Sequence, residues 1–508
     1  MPDGRTLDAT ILREYDIRGV VGETLDAVDA EAVGRAFASV AVERFGPAPK
    51  ICVGYDGRLS SPELEAALVR GIRRAGANVV RVGRGPTPLL YYAAHILEAD
   101  GGVMITGSHN PPEYNGIKMV LGGDSFFGED IQALGVRAAA GDFTSGEGAT
   151  EDEDLMDQYV ARLTADHPGA SHMRVAWDPG NGAAGDFTSG EGAAEDEDLM
   201  DQYVARLAAD HPAASDMRVA WDPGNGASGE ALVKLIAKLP GEHFVINAEI
   251  DGTFPNHHPD PTVEKYLTQL KELVADNNCD IGIGFDGDGD RVGVIDAHGR
   301  ILYGDQILLI LAREILSRNA GAAIIADVKA SQVFFDEVTR AGGEPILWKA
   351  GHSLIRTKMK EIGAPLAGEM SGHIFFADGY YGFDDALYAA VRLLAILSSG
   401  ADSLAQLRDA LPVMFNTPEL RFDCAEEKKF AVIEEIKARL KDVSGITVRD
   451  IDGVRVETPD GWWLLRASNT QAVLVARCES ASEDGLARLK AIVADQLRAC
   501  GLEPPDFG

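Results

Sequence analysis

The sequence predicts an α/β protein of several domains that ends in a separate α+β domain. The chain has 508 residues, too many for a single hydrophobic core, so we expect three or four domains. As far as about Leu411, short apolar runs typical of buried strands alternate with segments of helical periodicity, which is the order that builds α/β units. From Met414 onward the order changes to a strand, a long helix, further strands and a terminal helix, which favours an α+β domain.

The first α/β unit opens with a polar loop, Tyr15–Gly19, that presents Arg18. Ser61 is expected to cap a helix that has Pro62 at its first position. Alternating strands and helices then indicate a parallel α/β domain that ends in the loop around Ser108. The elements predicted in this unit are the helices 29–45 and 89–97, the strands 51–55 and 79–82, and a strand that ends at Thr106.

A direct tandem repeat follows this unit, because residues 141–184 recur almost letter for letter as residues 185–228. The two copies differ only at Thr150/Ala194, Thr164/Ala208, Gly169/Ala213, His172/Asp216 and Ala184/Ser228. A solenoid needs more copies than two, so this near-identity indicates a duplication.

Each copy contains a predicted helix (154–163 or 198–207) and a strand that runs into Asp-Pro-Gly-Asn-Gly. Only the second copy leads into another helix, 229–239, so we expect it to occupy the native strand position. The duplicated insertion, which carries most of the first copy, is then expected at 151–194. The reverse assignment stays open, since lengthening a loop costs little entropy.

The elements beyond the repeat follow the same α/β order, with a third unit from Arg300 to about Leu411. The predicted strands are 244–247, 281–285, 292–295, 323–326, 345–348 and 419–422, and the predicted helices are 263–277, 331–341, 426–440 and 483–500.

Composition excludes some classes of partner. A formal net charge of −33 and a pI near 4.6 argue against a nucleic-acid-binding surface, although a local cluster of Lys and Arg can still bind a small phosphorylated substrate. The five cysteines are scattered without CxxC spacing, which is typical of reduced thiols in a cytoplasmic enzyme. We expect neither a signal peptide nor a membrane span, because no basic n-region and no long apolar run is present.

The first stretch that suggests a functional site is Val103–Met119, VMITGSHNPPEYNGIKM. Its apolar start predicts a buried strand, and the glycines, asparagines and prolines that follow are turn residues. Such residues would hold Ser108 at the end of a strand, where open α/β sheets bind ligands. Taken alone, the stretch is more simply explained as a surface loop. Two further loops favour a functional role instead.

The second loop carries Asp286, Asp288 and Asp290 at alternate positions, with glycines between them that permit tight turns. Three carboxylates that converge suit a hard cation, Mg²⁺ in particular. An EF-hand is rejected because its twelfth position would be Ala297 rather than Glu. The G-x-G-x-x-G spacing from Gly282 is also rejected as a dinucleotide site, because a strand rather than a helix follows. A simple acidic hairpin turn is the remaining alternative.

The third loop, Gly368–His373, offers the acceptor Glu369, the hydroxyl of Ser371 and the imidazole of His373, which suits sugar recognition with proton transfer. An ordinary turn would explain it as well. The fourth loop groups a guanidinium, hydroxyls and amides that can bind phosphate. Its residues are Arg466, Ala467, Ser468, Asn469, Thr470 and Gln471, and further candidate cations of a cleft are Lys118, Lys329, Lys349 and His352.

A presented serine, a magnesium-type triad, a hydroxyl-binding loop and a phosphate-binding loop together describe phosphoryl transfer onto and off a serine. The motifs TGSHNPPEYNGIKM, DGDGDR, GEMSGH and RASNT closely resemble, in this order, the four signature loops of the α-D-phosphohexomutase superfamily. The resemblance covers nearly the whole chain and is greatest to the bacterial phosphomannomutase/phosphoglucomutase branch. Phosphoglucosamine mutases typically have Ala and Gln where this chain has Gly107 and Met370.

This resemblance implies a heart-shaped protein in which three similar α/β domains with mixed sheets and a C-terminal α+β domain surround one cleft. We expect the domains at 1–150, 195–300, 301–412 and 413–508, with the insertion at 151–194. Ser108 would be the phosphoserine, and Asp286, Asp288 and Asp290 would hold one Mg²⁺ together with it.

The resemblance also implies roles for the remaining candidates. Arg291 would position the phosphoryl group, and Lys118 and His373 match positions with acid/base duty. Glu369 and Ser371 would bind the sugar hydroxyls. The phosphate that does not react would be held by Arg466, Ser468, Asn469 and Thr470, and Tyr15, Arg18, Lys329 and His352 match other cleft positions.

The implied reaction interconverts hexose 6-phosphate and hexose 1-phosphate, of mannose or glucose, through a hexose 1,6-bisphosphate that also serves as activator. Small phosphosugars are the expected partners, without nucleic acid or membrane, and a monomer is compatible with the sequence. The alternatives are a phosphoglucosamine mutase and a catalytically impaired phosphosugar-binding protein, because the superfamily has no counterpart of the second 44-residue copy.

Overall fold

The computed structural model describes residues 4–164, 174–177 (backbone), 216–468 and 472–507. Three α/β domains are followed by a C-terminal domain with one antiparallel sheet and two flanking helices, so the predicted fold class is confirmed. In the described residues, no helix is long and apolar enough to cross a membrane. All five cysteines are free, and only Cys500 is not fully buried.

The first domain is built on a mixed sheet of seven described strands. Its centre is parallel: Lys50–Tyr55 pairs with Asn78–Arg84 on one side and with Gly101–Ile105 on the other. The strands are Ile17–Val20, Lys50–Tyr55, Asn78–Arg84, Gly101–Ile105, Tyr114–Leu121, Asp124–Ser125 and Thr150–Asp152, and the helices are Ala27–Phe45, Ser61–Arg74, Thr87–Ile96 and Glu129–Ala140, preceded by the 3₁₀ turn Ala9–Ile11.

Two helices of this domain pack unusually closely because glycines face each other's backbone. A Cβ on Gly34 would lie 2.4 Å from the carbonyl oxygen of Leu68, and one on Gly71 would lie 2.1 Å from that of Glu31. Asp26 caps the first of these helices by accepting hydrogen bonds from the backbone of Val28 and Asp29. The predicted cap of the second helix is wrong: Ser60 is the N-cap residue, and the Ser61 hydroxyl donates to Asp56 instead.

The second and third domains repeat the α/β pattern. The second contains the strands Arg174–Trp177, Arg218–Asp222, Glu242–Val245, Ile281–Phe285, Val292–Asp296 and Ile301–Leu302, the helices Gly229–Ile236 and Thr268–Asp276 and the 3₁₀ turn Glu264–Leu267. The third contains the strands Ala323–Asp327, Glu344–Trp348, Leu366–Gly368 and Ile374–Phe376 and the helices Gly304–Arg318, Gln332–Arg340, His352–Ile362, Ala386–Ser399 and Leu404–Asp409.

The C-terminal domain has an antiparallel sheet covered by two helices. Its strands are Phe415–Asn416, Leu420–Asp423, Thr447–Arg449, Val454–Thr458, Gly461–Ala467 and Val473–Ser480, and its helices are Glu426–Leu440 and Glu483–Ala499.

The tandem repeat contributes to the fold from both copies. The strand Arg218–Asp222 of the second copy lies inside the second sheet, between Ile281–Phe285 and Glu242–Val245. The equivalent strand of the first copy, Arg174–Trp177, pairs with the other side of Glu242–Val245 in the same register, so that Glu242 lies opposite both Arg174 and Arg218.

The helix of the first copy, Met156–Thr164, packs in the core although the sequence assigned it to the insertion at 151–194. Tyr159 is fully buried and donates a hydrogen bond to Asp385 at 2.9 Å. Because both copies carry the same helix and the same strand, the core can take its helix from the first copy and its interior strand from the second. The predicted second helix, 198–207, lies outside the described residues.

Candidate active site between the domains

Ser108 lies three residues beyond Ile105, where a central strand of the first sheet ends. Its backbone is in the left-handed region at φ +50°, which is uncommon for a residue with a side chain. Its N–H donates to the Thr106 hydroxyl at 2.8 Å, and the residue is 2% exposed. Its own hydroxyl donates to Asp286 Oδ2 at 3.1 Å, so the serine of the first domain faces the carboxylates of the second.

Arg58 fixes the loop that carries this serine. The guanidinium is buried and donates to the carbonyl oxygens of Ser108, Asn110, Pro111 and Tyr114 at 2.6–3.0 Å. A Cβ on Gly107 would lie 2.4 Å from Arg58 Cζ, so the residue before the serine must be small. Arg58 was not singled out in the sequence analysis.

The three aspartates meet at one point, because their carboxylate oxygens lie within 4.8 Å of one another and all three residues are buried. Asp286 Oδ1 accepts the backbone N–H groups of Gly289, Asp290 and Arg291 at 3.0–3.2 Å, which closes the turn that brings the carboxylates together. A Cβ on Gly287 would lie 2.3 Å from the carbonyl oxygen of Ser108. Glycine is therefore what allows the serine and aspartate loops to touch.

The chemistry of this cluster fits Mg²⁺. All its donors are hard carboxylate oxygens, and Asp288 Oδ1 is buried with no hydrogen-bond partner among the described residues. Burial raises the pKa of Asp286 well above its usual range, and the charges of Asp290 and Asp288 raise it further. Asp286, Asp288 and Asp290 would hold the ion beside the Ser108 hydroxyl.

Lys118 supplies the nearest positive charge of the described residues. It lies on the strand Tyr114–Leu121, and its Nζ is 2.8 Å from Asp288 Oδ2 and 2.5 Å from Asp290 Oδ2. Burial lowers the pKa of Lys118, but the two carboxylates raise it by more, so it lies well above its usual range. The lysine is thus a fixed ammonium group at the reaction centre.

His373 lies between two carboxylates on the opposite side of the triad. Its Nδ1 is 3.0 Å from Glu369 Oε2, and its Nε2 is 3.2 Å from Asp290 Oδ1. Burial lowers the pKa of His373, but Asp290 and Glu369 raise it to about 10, so the imidazole is protonated at neutral pH. The Ser371 hydroxyl is 3.2 Å from His373 Nδ1. Arg291, the other predicted cation beside the aspartates, has its Nε 3.9 Å from Asp286 Oδ2.

The predicted cleft residues Tyr15 and His352 and the predicted sugar-binding residue Glu369 meet around the backbone of Ala350 and Gly351. The Tyr15 hydroxyl donates to the Ala350 carbonyl at 3.0 Å, and the Gly351 N–H donates to Glu369 Oε1 at 2.8 Å. Burial and the charge of Lys118 lower the pKa of His352 to about 3, so this imidazole is neutral.

Arg18 and Lys329, two further predicted cleft residues, lie in the first and third domains. Arg18 Nη1 donates to the Gly107 carbonyl at 3.2 Å and to Asn110 Oδ1 at 3.1 Å, so it lies against the serine loop. Lys329 Nζ is 3.2 Å from Glu419 Oε2 and 3.5 Å from Asp327 Oδ2, which joins the third domain to the fourth.

The predicted phosphate-binding loop begins at the end of the strand Gly461–Ala467. Arg466 contacts Asp452 at 3.0 Å through Nη2, and the carbonyl of Ser468 accepts a hydrogen bond from Lys429 at 2.6 Å. Asn469, Thr470 and Gln471, the remaining residues of this loop, lie outside the described residues.

Four polar residues of the site were missed by sequence reasoning besides Arg58. Thr87 donates to Asp288 Oδ2 at 2.7 Å, Asp384 Oδ2 is 3.9 Å from His373 Nε2, and Asp452 and Lys429 contact the phosphate-binding loop. None of them belongs to one of the four loops: Thr87 begins the helix Thr87–Ile96, Lys429 lies on the helix Glu426–Leu440, and Asp384 and Asp452 lie between regular elements. The Asp-Gly-Arg triplet directly after a strand was the available signal for Arg58.

Family models for four successive domains match the chain. Residues 9–144, 200–299 and 303–415 match phosphoglucomutase/phosphomannomutase alpha/beta/alpha domains I, II and III, and residues 419–496 match the C-terminal domain of the same family. The chain belongs to the phosphoglucomutase/phosphomannomutase family, within the α-D-phosphohexomutase superfamily.

Relatives of high similarity extend this result over the whole length. The phosphomannomutase/phosphoglucomutase of Pseudomonas aeruginosa PAO1 is 42% identical over 494 residues, with 97% of this chain and 96% of the relative covered. The phosphoglucomutase of Neisseria meningitidis Z2491 is 39% identical over 484 residues, covering 94% and 95%. A solved phosphoglucomutase/phosphomannomutase family protein from Burkholderia thailandensis has a TM-score of 0.83, 40% identity and 99% coverage of both chains. The chain is accordingly a hexose phosphate mutase, an enzyme that transfers a phosphoryl group.

Proposed function

We propose that this enzyme interconverts the 6-phosphates and 1-phosphates of glucose and mannose, with Ser108 as the phosphoryl carrier. The observation that carries the proposal is the contact of the Ser108 hydroxyl with Asp286 at 3.1 Å, in a buried site that also holds two further aspartates and Lys118. A relative named for both activities and another named for phosphoglucomutase alone support hexose phosphates as substrates and leave the preferred sugar to be measured.

The metal and the charged side chains would stabilise the transferred phosphoryl group. Bound to the three aspartates, Mg²⁺ would neutralise charge on the phosphoryl oxygens at Ser108. Lys118 holds an ammonium group against the same aspartates, and Arg291 holds a guanidinium 3.9 Å from Asp286 Oδ2. Positive charge that is already in position costs no reorganisation when negative charge develops on the phosphoryl group.

Proton transfer is proposed for His373 and Lys118, which both stay protonated until a substrate oxygen approaches. The protonated Nε2 of His373 faces Asp290, so it points toward the metal-binding cluster and can protonate an oxygen there. Glu369 holds the other ring nitrogen and fixes the orientation of the imidazole.

The sugar and its second phosphate would lie between the third and fourth domains. Glu369 and Ser371 would bind sugar hydroxyls, while Arg466 and Ser468, with Asn469 and Thr470, would bind the phosphate that is not reacting. Tyr15, Arg18, Lys329 and His352 would line the same cleft. The hexose 1,6-bisphosphate turns over between two transfers, and a buried site keeps water from Ser108 during that time.

A coupled assay tests the proposal. Purified protein is given glucose 1-phosphate, mannose 1-phosphate or glucosamine 6-phosphate, with Mg²⁺ and a trace of glucose 1,6-bisphosphate, and Ser108→Ala is the matched control. We expect turnover of the two hexose phosphates and a loss of at least about a thousandfold in the variant, since the carrier is removed. Preference for glucosamine 6-phosphate would establish the phosphoglucosamine mutase, and no turnover by folded protein that is phosphorylated on Ser108 would contradict the proposed activity.

A further inference from the structure

Asp452 contacts two domains through a single carboxylate oxygen. It lies in the turn between the strands Thr447–Arg449 and Val454–Thr458 of the C-terminal domain. Its Oδ2 accepts hydrogen bonds from Arg466 Nε at 3.1 Å and from the backbone N–H of Ala350, in the third domain, at 3.0 Å, and it is 3.0 Å from Arg466 Nη2. Both side chains are about nine-tenths buried, at 11% exposed for Asp452 and 10% for Arg466.

The backbone is shaped for this contact. Gly453, directly after Asp452, has φ +79°, and a Cβ there would lie 2.5 Å from Arg466 Cβ and from the Leu465 carbonyl oxygen. Any side chain at position 453 would therefore push the turn away from the strand that carries Arg466.

The peptide held by Asp452 is also held by the first domain and by the sugar-binding loop. Tyr15 donates to the Ala350 carbonyl at 3.0 Å, and Gly351 donates its N–H to Glu369 at 2.8 Å. Gly351 has φ +131°, and a Cβ on it would lie 2.5 Å from the Tyr15 ring. Asp452 thus links Arg466 to a junction where residues of the first and third domains meet.

We propose that Asp452 is a positioning residue that aims Arg466 at the substrate phosphate and couples this arginine to the Ala350–Gly351 backbone. A guanidinium is a planar fork of five N–H donors, so holding its Nε and Nη2 edge determines the direction of the remaining donors. The inference rests on the proposed role of Arg466 in phosphate binding. Asp452 itself touches no reacting atom in this account.

The opposite role would change phosphosugar binding in the opposite direction. If Asp452 instead occupied the arginine edge that the phosphate needs, its removal would strengthen phosphosugar binding. The positioning role requires that removal weaken it, because Arg466 would lose the partner that orients it.

The test compares Asp452→Ala and Asp452→Asn with Asp450→Asn, an exposed carboxylate in the same turn. Loss of the charged contact should raise the KM for glucose 1-phosphate about tenfold in Asp452→Ala, with kcat reduced by less than about threefold. Asp452→Asn keeps an acceptor without the charge and should lie between this variant and the wild type, while the Asp450 variant should match the wild type. Direct binding of glucose 6-phosphate in the Ser108→Ala background, measured by calorimetry, should weaken in parallel.

A double-mutant cycle with Arg466→Ala separates this inference from the function on which it rests. If Asp452 acts through Arg466, Asp452→Ala should raise KM no further in the Arg466→Ala background. An equal rise in both backgrounds, a fall in KM or unchanged KM in Asp452→Ala would overturn the positioning role. If Arg466→Ala alone leaves KM unchanged, the proposed phosphate-binding role of Arg466 is what fails. Thermal unfolding of each variant, with Asp452→Asn as the milder change, shows whether the fold is retained.

Discussion

Replacement of Arg58 should damage both stability and catalysis, because one buried side chain holds the whole Ser108 loop. Its two Nη atoms donate to four carbonyl oxygens of that loop, those of Ser108, Asn110, Pro111 and Tyr114. Arg58→Met leaves these carbonyls and the Asp56 carboxylate buried without their partner. Arg58→Lys keeps the charge but has at most three donors and no planar fork.

The size of the effect follows from the contacts. Removing one partner of a buried charged network costs roughly 3–5 kcal/mol of unfolding free energy, and Arg58→Met should lie in that range. Arg58→Lys should cost less in stability. It should still lower kcat about a hundredfold, since a misplacement of about 1 Å at a reacting group costs that much.

Urea unfolding and steady-state kinetics measure the two effects, with Arg70→Met as the control. Arg70 lies on the helix Ser61–Arg74, which follows Arg58 in the chain. Its side chain is 55% exposed and pairs with Glu31 at 3.4 Å, so its loss should hardly change stability. An Arg58→Met protein within about 1 kcal/mol of wild-type stability and threefold of wild-type kcat would refute the role given to this side chain.

Three further results are expected. Deleting residues 165–208 removes the length of one repeat copy but keeps the helix Met156–Thr164 and the strand Arg218–Asp222. The kcat/KM of this variant should therefore stay within about twofold of the wild type. A loss of activity would show that the extra copy belongs to the fold. Burial lowers the pKa of His243 to about 4, whereas an unfolded histidine titrates near 6.5. The stability contributed by His243 is therefore complete above about pH 6.5, and about 3 kcal/mol of it is lost as the pH falls to 4. Unfolding experiments should find a smaller loss of stability in acid for His243→Gln than for the wild type. Removing Mg²⁺ with EDTA should abolish turnover. Adding Mg²⁺ back should raise the unfolding temperature of the wild type but not that of Asp288→Asn, because the ion relieves repulsion among three buried carboxylates. Equal increases in both proteins would show that the three aspartates are not the metal site.

Elements with a strong local pattern could be predicted from the sequence with little error. The strand Ile281–Phe285 is a short buried apolar run, and the helix Glu426–Leu440 is long and periodic, so their predicted and observed bounds agree. The segment 263–277 was predicted as one helix, but it begins with the 3₁₀ turn Glu264–Leu267 before the helix Thr268–Asp276. Ser61 was misassigned because its neighbour Ser60 is an equally good cap by type, and the Ser61 hydroxyl bonds to Asp56 rather than to the helix backbone.

The same distinction applies to the site. Functional residues that stand close together in a motif, such as the three aspartates, could be predicted from the sequence. Their spacing alone limits the kind of site that they can form. Arg58 and Asp452 could not, since their partners lie 50 and 102 positions away along the chain. The repeat shows a further limit: two nearly identical helices and strands leave no sequence signal for which copy the core uses, and packing around Tyr159 decides it.

Phosphoryl transfer through Ser108 is the central claim, and mapping of a labelled phosphoryl group tests it most directly. The protein is incubated with Mg²⁺ and glucose 1,6-bisphosphate carrying radioactive phosphorus, then digested, and the labelled peptide is sequenced by mass spectrometry. We predict close to one label per chain on Ser108, which disappears when unlabelled glucose 6-phosphate is added. Absence of label, label on another residue, or label that glucose 6-phosphate does not remove would contradict the account.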